Sequence, residues 1–157
     1  MNINFNLLKE LVSVYGPSSN EGAIREFIKN EIKDYVDEIE TDNLGNLIAR
    51  KKGNGKKIMI SAHMDQIGFM ITDIDEKGFL RFTNVGGISP YISISQRVIF
   101  ENGTVGVIYH EPVDGMSKLK LENMYIDIGA FSKEEAEKKV KIGDICIYKT
   151  EFDENEN

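Results

Sequence analysis

Cysteine is nearly absent: Cys146 is the sole thiol in 157 residues, which excludes an internal disulfide and predicts a reducing, cytoplasmic setting. It lies in the apolar run Ile145-Cys146-Ile147, where the thiol pKa rises rather than falls, so it makes a poor nucleophile. Histidine is almost as scarce, with only His63 and His110. No Gly-x-Ser-x-Gly elbow accompanies them, and nothing supports a Ser-His-Asp hydrolase. The chain also lacks a dense Lys/Arg stripe and carries a formal net charge of -7. Nucleic acid and anionic membranes both need a basic footprint, which argues against either as partner. No apolar run approaches a bilayer span, and the N-terminus lacks the basic-then-apolar order of an export signal. What is present is a 41% apolar fraction, enough for a packed core in one ordinary domain or two small ones.

Apolar residues recur at three- and four-residue spacing through Phe5, Leu8, Leu11, Val12 and Tyr15, predicting a helix over 4–15 that Gly16-Pro17 stops. Ser18 with Glu21 three residues on reads as the capping box of a second helix, whose core face would be Ile24, Phe27, Ile28, Ile32, Tyr35 and Val36. Strands over 38–41 and 46–51 flank the turn Asp42-Asn43-Leu44-Gly45, and Gly53-Asn54-Gly55 makes a further turn.

The organising stretch follows. Lys56-Lys57 leads into Ile58-Met59-Ile60, short and apolar on both faces as a buried central strand would be, and then into Ser61-Ala62-His63-Met64-Asp65. In open α/β sheets ligands bind beyond the carboxyl ends of strands, where His63 stands. Neutral imidazole is the commonest metal ligand. A carboxylate two residues on can accept the second ring N–H, fixing the tautomer and raising the basicity of the ligating nitrogen. A lone histidine after a strand is more often a hydrogen-bonded core or loop residue than a ligand, and spacing alone leaves both readings open.

From Phe69 onward the pattern is all-β. Two hairpins are predicted, one around Asp75-Glu76-Lys77-Gly78 and one around Glu101-Asn102-Gly103-Thr104, whose Asn-Gly suits a type I′ turn. A strand over 125–128, a helix capped by Ser132 and running to Val140, and a final strand over 142–148 complete a set that predicts a small barrel. Asp73-x-Asp75-x-Lys77-Gly78 mimics a calcium loop but has Lys77 where an oxygen ligand belongs and Asn84 where a bidentate Glu belongs. Gly86-Gly87 neither opens a helix nor precedes Lys-Ser or Lys-Thr, so it is no phosphate cradle. His110, before Glu111-Pro112, reads as a surface turn, and Lys133 to Lys141 as a solvated helix face around Ala136 and Val140.

The segment Ser61-Ala62-His63-Met64-Asp65-Gln66-Ile67-Gly68 resembles the motif of the tetrahedral-aminopeptidase family. These are two-metal aminopeptidases that include glutamyl and deblocking aminopeptidases and proteins named cellulase M. The family motif reads His-Met-Asp-Glu-Ile-Gly, and Gln66 stands in place of its Glu. Gly16-Pro17-Ser18, Asp42-Asn43-Leu44-Gly45-Asn46 and Gly53 also fall where the family has recurrent features. The resemblance implies that His63 binds one of two divalent ions, zinc or cobalt, and that Asp65 orients it. It implies an incomplete α/β catalytic domain over 1–69, of helix-helix-strands order, followed over 70–157 by an all-β, barrel-like dimerisation domain with one short helix. The family's Asp-Asp-Arg segment, catalytic Glu pair, further acidic ligand and last His have no counterpart before Asn157. The chain is therefore expected to be the N-terminal portion of an aminopeptidase that acts on peptides, inactive and without tight metal binding by itself, and to self-associate. A non-catalytic oligomerisation module is the alternative. Glycan hydrolysis, resting on the cellulase name, would need two carboxylates flanking a glycosidic bond, and no such pair stands out.

Overall fold

The computed structural model describes residues 4–153, which fall into two compact units, one ending at Asp65 and the other spanning Gln66–Glu151, with Phe152 and Asp153 grouped with the first.

The first unit opens with helix α1 (Phe5–Ser13), whose first turn is capped by Asn4: its Oδ1 accepts the Leu7 N–H at 3.1 Å. The chain turns extended at Val14, ahead of Gly16-Pro17. Gly16 is required by packing, because a Cβ there would lie 2.5 Å from Ile24 Cγ2. Helix α2 (Gly22–Ile32) continues as a 3-10 turn over Lys33–Tyr35. Of its expected core face Ile24 is buried, Phe27, Ile28, Ile32 and Val36 are half-buried, and Tyr35 is exposed. Strands β1 (Glu38–Thr41) and β2 (Leu47–Arg50) form an antiparallel hairpin pairing Glu38 with Arg50 and Thr41 with Leu47. Arg25 Nε donates to the Gly45 carbonyl at 2.8 Å and ties α2 to the hairpin loop.

The expected strand over 58–60 does not form. Ile58, Met59 and Ile60 are 87%, 89% and 92% exposed and join no ladder among the described residues. A strand exists through its neighbours' hydrogen bonds, and the pattern of two apolar faces reports the burial such neighbours would provide. The two-stranded β1–β2 sheet supplies none of it.

The second unit is a closed six-stranded barrel in the order β3 (Gly68–Ile74), β4 (Leu80–Val85), β7 (Met124–Asp127), β6 (Val105–His110), β5 (Arg97–Phe100) and β8 (Ile145–Tyr148). All pairs are antiparallel, and β3 with β8 closes the ring through Phe69 opposite Cys146. Closure leaves no open edge. Alternate residues fill the interior: Phe69, Leu80, Val98, Ile108, Ile126 and Cys146 are fully buried. Phe69 meets Phe82 and Tyr148 edge-on at centroid distances of 5.0 and 5.2 Å. Two short α-helices occur where one was expected. Helix α4 (Lys133–Glu137) has its cap at Ser132 and buries Ala136 as predicted, but it ends at Glu137, short of the expected Val140. Helix α3 (Pro90–Ser93) is too short to show periodicity; it is held by Ser93 Oγ, which donates to the Ser89 carbonyl at 2.9 Å and lies 2.8 Å from the Tyr148 hydroxyl.

One turn geometry recurs across both units. Asp42, Asp75 and Phe100 each accept at their carbonyl from the glycine three residues on, Gly45, Gly78 and Gly103, at 2.9 to 3.0 Å. Each glycine has φ between 84° and 89°. This is a type I turn followed by a left-handed bulge. The type I′ turn expected at Asn102-Gly103 needs positive φ at both residues, and Asn102 has none. Its side chain is committed instead, with Oδ1 accepting the Thr104 N–H at 2.9 Å and Nδ2 donating to the Lys139 carbonyl at 2.7 Å.

Candidate functional site

His63 and Asp65 lie at the end of the first unit, in a segment without helix or strand. His63 Nδ1 is 3.0 Å from Asp65 Oδ1 and 3.0 Å from the Asp65 carbonyl oxygen. Both are acceptors, so in the neutral ring Nδ1 carries the proton and Nε2 the lone pair. The imidazole is 87% exposed and the Asp65 side chain 37%. The other carboxylate oxygen, Oδ2, accepts a hydrogen bond from the Ser18 hydroxyl. That bond holds the Asp65 carboxyl below the ordinary carboxylate range; partial burial opposes it and His63 adds to it.

Ser18 was read from the sequence as a helix cap, and the structure assigns it elsewhere. Helix α2 begins one turn later, with Glu21 at its N-cap and no side-chain bond there. Glu21 Oε1 accepts the Ser19 N–H at 2.7 Å, which occupies the capping carboxylate and leaves the Ser18 hydroxyl for Asp65, 47 residues away. No local pattern announces a contact across that separation.

The described residues contain no group of three or more His, Cys, Asp or Glu side chains placed to hold a metal ion. A complete metal centre does not fit them, and His63 amounts to one candidate ligand with a carboxylate behind it. The residues set aside earlier have other roles. Asp75 Oδ1 accepts the N–H groups of Lys77 and Phe79, both at 3.0 Å, so it shapes a hairpin. His110 stacks on Tyr109 with centroids 5.0 Å apart, and its Nδ1 lies 2.7 Å from the Glu111 carbonyl. It lines a depression of about 400 Å³ on the second unit together with Arg81 and Tyr125. Arg81 is neutralised there by Glu111 at 2.5 Å and Asp75 at 3.7 Å. Cys146 is enclosed in the barrel, and burial pushes its thiol pKa up. No helix among the described residues is long and apolar enough to cross a membrane.

Solved structures share this architecture. A TET aminopeptidase from the marine sediment archaeon Thaumarchaeota archaeon SCGC AB-539-E09 superposes with a TM-score of 0.89 at 31% identity, over 97% of this chain and 46% of that one. The TET1 peptidase of Pyrococcus horikoshii, described as assembling into a tetrahedron or a large octahedral shell, gives 0.80 at 38% identity over 92% of this chain and 46% of its own. Among curated sequences, a protein of Acetivibrio thermocellus named "Putative aminopeptidase" is 59% identical over 145 residues, which is 92% of this chain and 44% of that protein. The chain thus spans less than half the length of these relatives. The family model for M42 glutamyl aminopeptidase matches residues 45–157, and the chain belongs to that family.

Proposed function

We propose that this chain is the N-terminal portion of a metal-dependent aminopeptidase that removes N-terminal residues from peptides, with His63 as a metal ligand through Nε2 and Asp65 as the residue that orients it. The observation that carries this reading is the contact of His63 Nδ1 with Asp65 Oδ1 at 3.0 Å in a chain of the M42 family. A carboxylate on one ring nitrogen fixes the tautomer that presents the other to a metal and makes it more basic. Zinc or cobalt in a two-metal centre supplies Lewis acidity and an activated water. Further ligands and the general base must then come from residues outside those described. In this reading residues 1–69 are part of the catalytic domain. Residues 70–157 are the dimerisation domain, and the assemblies of TET relatives support self-association. The single buried thiol suits a reducing cytoplasm. Glycan hydrolysis is not favoured, because the matching family is one of peptidases.

The test grafts residues 1–157 in place of the matching segment of the Pyrococcus horikoshii TET1 peptidase and follows release from amino-acid anilides. The chimera should show chelator-sensitive turnover with zinc or cobalt, while the 157-residue chain alone stays silent. His63→Ala in the chimera should abolish turnover, and Asp65→Ala should cost roughly 10- to 100-fold in activity or metal affinity. Full turnover of the His63→Ala chimera at saturating metal overturns the assignment.

A further inference from the structure

We propose that Ser18 is the positioning residue of the His63–Asp65 pair: its hydroxyl holds Asp65 Oδ2 so that Oδ1 is left facing His63 Nδ1. The inference rests on the reading of His63 as a ligand for its purpose, and on geometry alone for its substance. A carboxylate on a segment without helix or strand has free rotation about χ1 and χ2, and a hydrogen bond to one exposed imidazole does not hold it. The second bond, from Ser18, does. It divides the two oxygens, one to the Ser18 hydroxyl in the loop between α1 and α2, the other to the imidazole.

Ser18 is itself held in place by its neighbours. Pro17 before it is fully buried, and Gly16 packs so closely on Ile24 that a Cβ would come within 2.5 Å. The Asn20 N–H donates to the Pro17 carbonyl at 2.8 Å and the Ser19 N–H to Glu21 Oε1 at 2.7 Å. Ser19 adopts φ of 76°, a left-handed conformation that a non-glycine residue keeps only where its surroundings impose it. A turn that packs a proline, admits no side chain at Gly16 and holds a serine in left-handed backbone is built to present one hydroxyl in one place. A helix cap at Ser18 would have needed none of these features. The arrangement carries position from the α1–α2 loop through Ser18 to Asp65 Oδ1 and to the ring of His63, where Oδ1 joins the Asp65 carbonyl oxygen, also 3.0 Å from Nδ1, in favouring the proton on that nitrogen.

The experiment reads the tautomer directly, by nitrogen NMR of the full chain at a pH about two units above the ordinary imidazole pKa of about 6.5. His63 and His110 are the only histidines, so His110 is an internal reference that no change at Ser18 should move. In the parent chain His63 should be mainly the Nδ1–H tautomer. Ser18→Ala should lower the Nδ1–H share towards the Nε2–H form that an unconstrained imidazole prefers, with the Asp65 carbonyl the acceptor still left to Nδ1, and Ser18→Thr, which keeps the hydroxyl, should restore the parent distribution. A purely structural staple would leave the tautomer ratio where it was, and that result overturns the proposal, as does a parent chain whose His63 already favours Nε2–H. Should the alanine variant fail to fold, the Ser18 hydroxyl proton of the parent decides: slowed exchange with water supports the bond to Asp65, and free exchange overturns it. No metal enters these measurements. A tautomer that follows Ser18, combined with an active His63→Ala chimera, would support the positioning role while removing the ligand role.

Discussion

The two units show what makes a segment self-sufficient. In the barrel, every strand has a neighbour on each side and the inward residues from Phe69 to Cys146 form one cluster. In the first unit Ile24 is the sole buried large aliphatic side chain among the described residues; Phe5 and Val12 on the expected core face of α1 are 51% and 48% exposed. Both units carry amphipathic elements of good local quality, with capped helices and the same hairpin turn. They differ in closure. A ring of strands satisfies its own backbone and encloses its own apolar face, whereas two helices and a hairpin leave apolar surface facing water.

That contrast predicts unequal sensitivity to truncation of apolar side chains. Phe69→Ala, at the centre of the barrel cluster, should destabilise the protein by about 3–5 kcal/mol in denaturant titrations. Leu8→Ala, on the open face of α1, should change it by no more than about 0.5 kcal/mol. Equal losses would mean that the first unit closes a core of its own and would erase the distinction.

Association should follow the same division. Light scattering over a dilution series should give a dimer at low concentration and larger species as concentration rises, the dimer belonging to the barrel and the excess to the exposed strip at Ile58 and Ile60. Ile58→Lys with Ile60→Lys should remove the excess and leave the dimer. A strictly monomeric mass at every concentration would break the comparison, and growth unaffected by the lysines would relocate the sticky surface.

The smallest expected effect is electrostatic and local to the first unit. The folded state holds the Asp65 carboxyl below the ordinary range, chiefly through Ser18. The stability it contributes is therefore complete above its unfolded pKa of about 3.9 and is lost as pH falls through the lower folded value. Ser18→Ala should lower stability modestly near neutral pH, and the gap to the parent should close once the solution is acidic enough to protonate Asp65 in both. A gap that persists unchanged into acid would assign the loss to packing of the loop instead.

Much of this molecule can be read locally. The end of α1 ahead of Gly16-Pro17, the glycine-ended turns after Asp42 and Asp75, the Ser132 cap and the buried Ala136 and Val140 all follow from spacings of a few residues, and so does the pairing of His63 with Asp65. The failures share a cause. Ile58-Met59-Ile60 has the composition of a central strand, and composition records the burial a strand expects, without supplying the strands that would bury it. Asn102-Gly103 has the signature of one turn and adopts another because the Asn102 amide is engaged by the Lys139 carbonyl, 37 residues on.

By itself the amino-acid order determined which stretches form the longer helices and the hairpins, that Ala136 and Val140 turn inward, and that an imidazole and a carboxylate stand two residues apart. Those outcomes depend on φ preferences and on periods of 2 and 3.6 residues, which act within a few bonds of the chain. Only tertiary structure decided that β8 closes the ring on β3, that the strip at 58–60 stays unpaired, and that the Ser18 hydroxyl turns from a helix end to Asp65. A serine hydroxyl can satisfy a helix N-terminus or a distant carboxylate equally well in kind. The choice is made by which acceptor the packed chain brings within hydrogen-bond reach, and that is a property of the fold.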